Sequence, residues 1–516
     1  MADSKGRAAA DEGAPTAASD FRVYVQELEA EGDLVRITSE VDAQLELGAI
    51  VRKAYETESK APLFSNIRGR DSKTGLFNVL GAPVGMSGQP GKRLMRLAKS
   101  LGLGSRASGQ HIIERIVDAS SKAAVACREV ESGPVKEHRM VGDAVDLTQL
   151  PVPLLHAHDG GKYLQTFGMV VVQSPDGAWV NWSVTRAMVL GRRQLVGPIM
   201  AEQDIGAVRA MWLKEGKDMP FAMCFGVPPA AILVGGMPLP RGANEADYVG
   251  ALTGRPVAVT RCETNQLCVP ANAELVLEGV VSATETAPEG PMAEYHGLLF
   301  PADRKPQPVY RVDAMTFRHD PIVPLCVAGR AVDENHSVWG VMQAAAVLDV
   351  CRTADLPIHA AWCPFESHCM WMVLQADAPR LRQMPIAMPD FCNALGHCVF
   401  ASKPGFYIAK LYLVGPDIDP TNLRDVIWAE ATRCQPGANE FLFDQYPSIP
   451  LIPYVSHGLP PDAEHHYHNK VVRCCMFPSE FDPEPDQPLY EEGSFRASYP
   501  KHIQDRVNQR WAEYGY

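Results

Sequence analysis

The sequence contains no C-x-x-C pair, although thirteen cysteines are spread along its 516 residues. An odd number without metal-knuckle spacing fits neither a zinc module nor a secreted disulfide framework. These cysteines, including the adjacent Cys474-Cys475, read as reduced thiols of a cytoplasmic protein. Positive charge is also short: 48 Lys and Arg stand against 61 Asp and Glu, for a formal charge of −13. Such a balance argues against nucleic acid and membrane as partners, but not against a small anion held by local charge. The longest uncharged run, Met219 to Pro240, carries Pro220, Pro228, Pro229, Pro238 and Pro240, so it reads as no membrane helix. The first residues have no apolar core of the kind a leader needs, and 1–19 read as a disordered tail. There is no P-loop, no G-x-G-x-x-G and no internal repeat.

What is present is enough chain for two or three domains. Asp20 is a good N-cap, and Phe21, Tyr24, Val25 and Leu28 follow at helical spacing until Gly32. Leu34 to Ile37 reads as a strand and Leu45 to Tyr55 as a second helix, giving a small α/β domain over 20–125. Strands dominate the next region, 126–336. Phe167 to Gln173, the turn Ser174-Pro175-Asp176-Gly177 and Trp179 to Val184 make a hairpin. Ala230 to Val234, Val257 to Arg261 and Tyr310 to Phe317 are further expected strands, with a spacing that suits a barrel. Ser337 to Arg352 reads as a helix within a linker at 337–356, with Asn335-His336 as candidate caps. A second α/β region, 357–495, carries strands at His368 to Leu374 and Phe406 to Val414 and a helix at Arg424 to Thr432. In 496–516, Ile503, Val507 and Trp511 share one helix face, which would dock on its own chain or on a partner subunit. The fold class is a multidomain α+β and α/β protein.

Two stretches are candidates for chemistry, against plainer readings as a solvated acidic loop and a surface arginine. In Glu289-Gly290-Pro291-Met292-Ala293-Glu294, a Gly-Pro bend separates two carboxylates, and a turn can aim both into one pocket. Unequal surroundings would then leave one as a proton donor and the other as a charged anchor. Arg186, after the hairpin, is a fixed planar cation suited to a carboxylate. His465-His466-x-His468 and His156-x-His158 resemble metal clusters, but they lie in polar loops and read as surface.

The segments NWSVTRAM, CFGVPPAAI, GMPLP, ADYVGALTG, VPANAELVLEG, EGPMAEYHG, SIPLIPY and WAEYGY occur here in order. Together they resemble the UbiD family of decarboxylases, nearest to the branch of ferulic acid and heteroaromatic acid decarboxylases, over about residues 20 to 516. The resemblance implies a split β-barrel that holds prenylated FMN, a linker helix, and a C-terminal α/β domain that makes a homodimer. It implies a UbiX-type flavin prenyltransferase as cofactor supplier, and a small aromatic or heteroaromatic acid and CO₂ as reactants. The family's catalytic residues fall on Arg186, Glu289 and Glu294, with Glu294 as proton donor and the other two as a carboxylate-positioning network. Cofactor-binding positions fall on Asn181, Ser183, Val184, Thr185, Arg186, Gln203, Gly235, Gly236, Met237, Pro238, Glu245 and Lys403.

The family's metal ligands are Asn, His and Glu. They fall on Asn181, Asp204 and Glu245, so an Asp stands where the family has His. An all-oxygen set suits Mn²⁺ or Mg²⁺, and the resemblance implies a K⁺ nearby. Trp339, Ile449 and Leu451 fall beside the substrate, and a tryptophan at the first of these looks like the heteroaromatic branch. Three rivals remain at this point: a cinnamate-type decarboxylase, a non-catalytic flavin-binding or assembly protein, and an ordinary FMN oxidoreductase.

Overall fold

Helix Phe21–Ala30 begins where its cap dictates: the Asp20 carboxylate accepts from the N–H groups of Arg22 and Val23. Its apolar stripe is buried at Phe21, Tyr24, Val25 and Leu28, and Gly32 supplies the left-handed residue (φ +73°) that turns the chain out. The computed structural model describes residues 14–71, 73–330, 332–449, 451–457, 467–481 and 492–516. Ordered packing starts earlier than residue 20. Ala17 and Ala18 are buried, and Ala18 accepts a backbone hydrogen bond from Ala230.

Strand Leu34–Ile37 pairs in parallel with Ala61–Phe64; helix Phe21–Ala30 packs on the first and helix Glu46–Glu56 on the second. Two further strands, Asn78–Gly81 and Ile322–Leu325, complete a four-stranded sheet. The last of these enters from far along the chain, so the N-terminal sheet is not a self-contained stretch of sequence.

The centre of the molecule is a nine-stranded sheet, antiparallel at every pairing. The expected hairpin is there as Met169–Gln173 and Val180–Ser183, turning at Gly177 (φ +74°). The sheet path ends at Tyr163–Gln165 on one side and Val180–Ser183 on the other, leaving the barrel split. Its longest ladder joins Leu275–Glu289 to Lys305–Phe317 and carries Glu289 to the rim.

Some expectations need correction. Ala230 to Val234 is not a strand but part of helix Pro229–Gly235, which starts with proline at its first turn. All five residues are buried, and a short run apolar on every side carries no periodicity to separate helix from strand. Ala258–Arg261 is a strand, but it lies in a separate three-stranded sheet. The later strands are Trp371–Ala376 and Lys410–Val414, shorter at their starts than the sequence suggested. Phe406 belongs instead to the 3₁₀ turn Pro404–Tyr407.

The linker helix runs Glu334–Thr353, and its cap is Asp333 rather than Asn335 or His336. His336 closes the cap reciprocally by accepting the Asp333 N–H. The helix is buried along most of its length, consistent with its small residues Gly340 and Ala344 to Ala346. Helix Leu423–Arg433 flanks a mixed five-stranded sheet that forms the C-terminal lobe. Helix Lys501–Gln509 ends before Trp511, and none of its residues is buried among the described part of the chain. His465 and His466 lie outside the described residues.

Candidate active site

Strand Val180–Ser183 forms an open edge of the barrel, and its period of two sends Asn181 and Ser183 to the same side. They border a cavity of about 600 Å³, which is also lined by the 235–238 loop, the long helix and the C-terminal lobe. That volume lies within the range of cofactor and small-ligand sites. Every residue the sequence singled out for cofactor, metal or substrate lines it: Asn181, Ser183, Val184, Thr185, Arg186, Gln203, Asp204, Gly235, Gly236, Met237, Pro238, Glu245, Trp339, Lys403, Ile449 and Leu451. Glu294 lines it too. Glu289 does not.

Glu289 stands behind Arg186, only 2% exposed. Both its oxygens are held by the guanidinium, with Arg186 Nε donating to Oε1 at 2.8 Å and Nη2 to Oε2 at 3.0 Å. The Tyr163 hydroxyl adds a third bond, 2.6 Å to Oε1. The remaining Arg186 nitrogen, Nη1, donates to Glu294 Oε1. Burial works against the arginine's charge, yet the Glu289 hydrogen bonds and charge more than offset it, so its pKa is raised above the ordinary value. The two carboxylates five residues apart therefore converge on one cation, as a turn permits and a helix would not.

The turn has a steric basis. Gly290 adopts φ +83°, and the Gly290–Pro291 peptide is cis. A Cβ on Gly290 would come within 2.4 Å of the Asp303 carbonyl oxygen, so only glycine fits. Glu294 then sits in a tight turn of its own: its N–H donates to Leu298 O and its carbonyl accepts from Gly297.

A second group of cavity-lining residues gathers oxygens. Asn181 Nδ2 and the Trp182 N–H donate to the two oxygens of Glu245, which is buried at the start of helix Glu245–Thr253. Burial, with Asp204 nearby, pushes the Glu245 pKa up to about 7. Asp204 opens helix Asp204–Lys214 and accepts from Lys403 Nζ at 2.7 Å through Oδ2. Three buried oxygens here have no hydrogen-bond partner: Asn181 Oδ1, Ser183 Oγ and Asp204 Oδ1. Arg241 Nε lies 3.7 Å from Asp204 Oδ1, an ion pair without a hydrogen bond. Asn181, Ser183 and Asp204 thus carry hard oxygens without hydrogen-bond partners in the wall of the cavity that Glu245 also lines. A Cβ on Gly235 or Gly236 would meet no atom closer than 3.5 Å, so a methyl at either position would make only ordinary contacts on the cavity wall.

The substrate side is aromatic. Trp339 stands edge-on to Tyr295 (5.6 Å) and Tyr407 (4.7 Å), and Ile449 is buried. Sequence reasoning missed Tyr163, Tyr295, Arg241 and Tyr407, which are single residues on separate elements with no shared spacing. It also took Asn335 for a cap. Its side chain lines the cavity, its amide N–H groups held by Asp333 Oδ1 (3.0 Å) and Cys326 Sγ (3.5 Å).

The cavity thus brings together a guanidinium shared by two carboxylates and a set of buried oxygens without hydrogen-bond partners. Three family models match in succession. They are described as the N-terminal, Rift-related and C-terminal domains of 3-octaprenyl-4-hydroxybenzoate carboxy-lyase, over residues 25–116, 128–331 and 336–475. The chain is 45% identical to the pyrrole-2-carboxylic acid decarboxylase of Pseudomonas aeruginosa, covering 97% of this chain and 99% of that one. It is 40% identical to ferulic acid decarboxylase 1 of Saccharomyces cerevisiae, again over 97% and 99%. Among solved structures, Sedimentibacter hydroxybenzoicus vanillic acid decarboxylase superposes with a TM-score of 0.78 at 22% identity, over 96% of this chain and 99% of that one. The UbiD-class enzyme HmfF of Pelotomaculum thermopropionicum, in complex with FMN, gives 0.75 at 23%, over 92% and 98%. An evolved dimeric form of HmfF, in complex with prFMN, gives 0.73 at 22%, over 92% and 97%. The chain belongs to the UbiD family, and it is a carboxy-lyase of that family's three-part fold.

Proposed function

We propose that this enzyme catalyses the reversible, non-oxidative decarboxylation of a heteroaromatic acid of the pyrrole, furan or indole carboxylate type, with prenylated FMN bound in the 600 Å³ cavity. The observation that carries the reading is the division of labour around Arg186: Glu289 is sealed behind it, and Glu294 faces the cavity. When bound, the modified flavin supplies the electron sink for the pair left by departing CO₂. The chain supplies the rest. Arg186 orients the substrate carboxylate, and Glu289 with Tyr163 fixes the guanidinium plane. Glu294 delivers the proton to the carbon that loses CO₂. Binding the carboxylate too firmly would only deepen the ground state, and the claim of both glutamates on Arg186 limits that hold.

Asn181, Asp204 and Glu245 would hold Mn²⁺ or Mg²⁺ through oxygen, with K⁺ nearby, and the orphaned oxygens support this set. Lys403 and Ser183 would meet the cofactor phosphate, beside Val184, Thr185, Gln203 and the loop Gly235, Gly236, Met237, Pro238. A homodimer, a cytoplasmic location and a UbiX-type prenyltransferase as cofactor supplier complete the reading. Among the described residues no helix is long and apolar enough to cross a membrane. Reconstitution with prenylated FMN, followed by cofactor mass and CO₂ release from pyrrole-2-carboxylate, tests the proposal. Plain FMN with NAD(P)H turnover, or no reaction with any aromatic acid, would overturn it.

Asp204 gives a separate prediction. Asp204→Ala is expected to lower bound Mn²⁺ or Mg²⁺, by elemental analysis, and to weaken flavin retention. Wild-type metal and flavin content in the variant would remove Asp204 from the ligand set.

Trp339 gives another. Its indole, in contact with Tyr295 and Tyr407, takes the volume an acrylic side chain would need while offering a flat face to a compact ring. Asn335, lining the same cavity, adds a polar group near which a ring N–H can sit. Trp339→Ile should shift kcat/KM from pyrrole-2-carboxylate towards cinnamate by about 10–200-fold, the usual reach of apolar pocket shape. Cinnamate leading in the wild type, unchanged in the variant, would place the enzyme with the ferulate decarboxylases.

A further inference from the structure

The carbonyl of Tyr295, one residue beyond Glu294, is contacted by two imidazoles. His336 Nε2 and His368 Nδ1 each lie 2.6 Å from it. A carbonyl oxygen only accepts, so both of these nitrogens carry hydrogen. For His336 the tautomer has a second determinant: its Nδ1 accepts the Asp333 N–H at 3.0 Å, leaving the proton on Nε2. The two rings meet edge to face, with centroids 4.4 Å apart. His336 is fully buried, and burial lowers its pKa, consistent with a neutral ring.

The two histidines come from different elements. His336 lies in the first turn of helix Glu334–Thr353, and His368 follows the 3₁₀ turn Phe365–Ser367 in the C-terminal lobe. His368 and Cys369 are both left-handed, at φ +53° and +62°. Consecutive non-glycine residues in that region cost conformational energy and persist where surrounding contacts hold them. Here that backbone delivers the His368 ring to Tyr295 and the Cys369 sulfur to the Asn335 carbonyl, 3.5 Å away. The barrel side grips the same loop separately, through Gly160 N–H to Pro291 O (2.7 Å) and Ala293 N–H to Asp159 Oδ1 (3.2 Å).

We propose that His336 and His368 are positioning residues: as a pair of N–H donors on one carbonyl, they clamp the Glu294 turn so that its carboxyl faces the cavity and Arg186. The proposal rests on Glu294 being the proton donor. The clamp also ties the loop to the C-terminal lobe, so lobe placement sets the acid's position.

The test uses the fact that the two rings donate through different nitrogens. Asn reproduces an Nδ1 donor and Gln an Nε2 donor. His368→Asn and His336→Gln therefore keep the clamp, whereas His368→Gln and His336→Asn break it at similar size and polarity. In the protein without cofactor, amide hydrogen exchange of the 293–298 segment should quicken about tenfold in the two clamp-breaking variants and stay near wild type in the other two. With cofactor, kcat should fall about 10–100-fold in the clamp-breaking pair, with little change in KM. Asn and Gln behaving alike at each position, or clamp-breaking variants that exchange and turn over like wild type, would overturn the proposal. Because the exchange measurement needs no catalysis, it separates failure of the clamp from failure of Glu294 as the acid.

Discussion

Glu294→Gln is expected to bind cofactor as the wild type does and to lose decarboxylation by about 10²–10⁴-fold, the usual contribution of a general acid. Glutamine keeps the size of the side chain and an oxygen that can still accept from Arg186 Nη1. What it lacks is an acidic proton. The partial reaction sharpens the test. Wild-type enzyme should exchange the ring hydrogen of the decarboxylated product for deuterium in D₂O, because protonation run backwards needs the same carboxylate. The variant should lose that exchange together with turnover. Turnover within about threefold of wild type would assign the proton to another group, given the size expected for a general acid.

The second large effect concerns Arg186. Arg186→Met removes the cation from a carboxylate that is 2% exposed, leaving Glu289 with only the Tyr163 hydroxyl. Uncompensated buried charge of this kind typically costs 3–5 kcal/mol, and the surviving Tyr163 bond points to about 3 kcal/mol. Catalysis should fall by about 10²–10³-fold, since the positioning charge is gone as well. These two losses can be separated. Adding Glu289→Gln to Arg186→Met removes the stranded charge, so denaturant unfolding of the double variant should recover most of the lost stability. Its turnover should not recover. Stability that stays low in the double variant would mean that the arginine's contribution is packing. Turnover that returns would mean that Arg186 serves the fold alone.

Both predictions rest on residues that were legible in the sequence for different reasons. The first helix could be read from Asp20 and the spacing of Phe21, Tyr24, Val25 and Leu28, because cap chemistry and a 3.6-residue period are local. The hairpin at Ser174 to Gly177 was equally local. Ala230 to Val234 failed because a segment buried on every side has no period to show. The long helix was found but its cap was not: Asp333, Asn335 and His336 are all plausible caps until packing decides which side chain turns inward.

The site divides in the same way. Glu289 and Glu294 stood out through the Gly-Pro bend between them, and Arg186 through family resemblance. That only one glutamate borders the cavity depends on the depth of the barrel rim, which no spacing encodes. Tyr163, His336 and His368 act through tertiary contacts across as many as 126 residues of chain, and nothing local marks them. Asp204 was legible as a departure from the family pattern. Its bond to Lys403 was not.

The strand Ile322–Leu325 has a consequence for the order of assembly. It pairs with Asn78–Gly81 and closes a sheet whose other three strands all precede residue 82. While the chain is being synthesised, Asn78–Gly81 therefore waits with one row of peptide groups unpaired until the whole barrel segment has left the ribosome. At about 5–20 residues per second that interval is on the order of tens of seconds. For that time the edge is a ready template for any other extended chain. The nascent protein's exposure to misassembly is thus written into where its fourth strand sits, and it ends only when the barrel delivers Leu325 to Gly81.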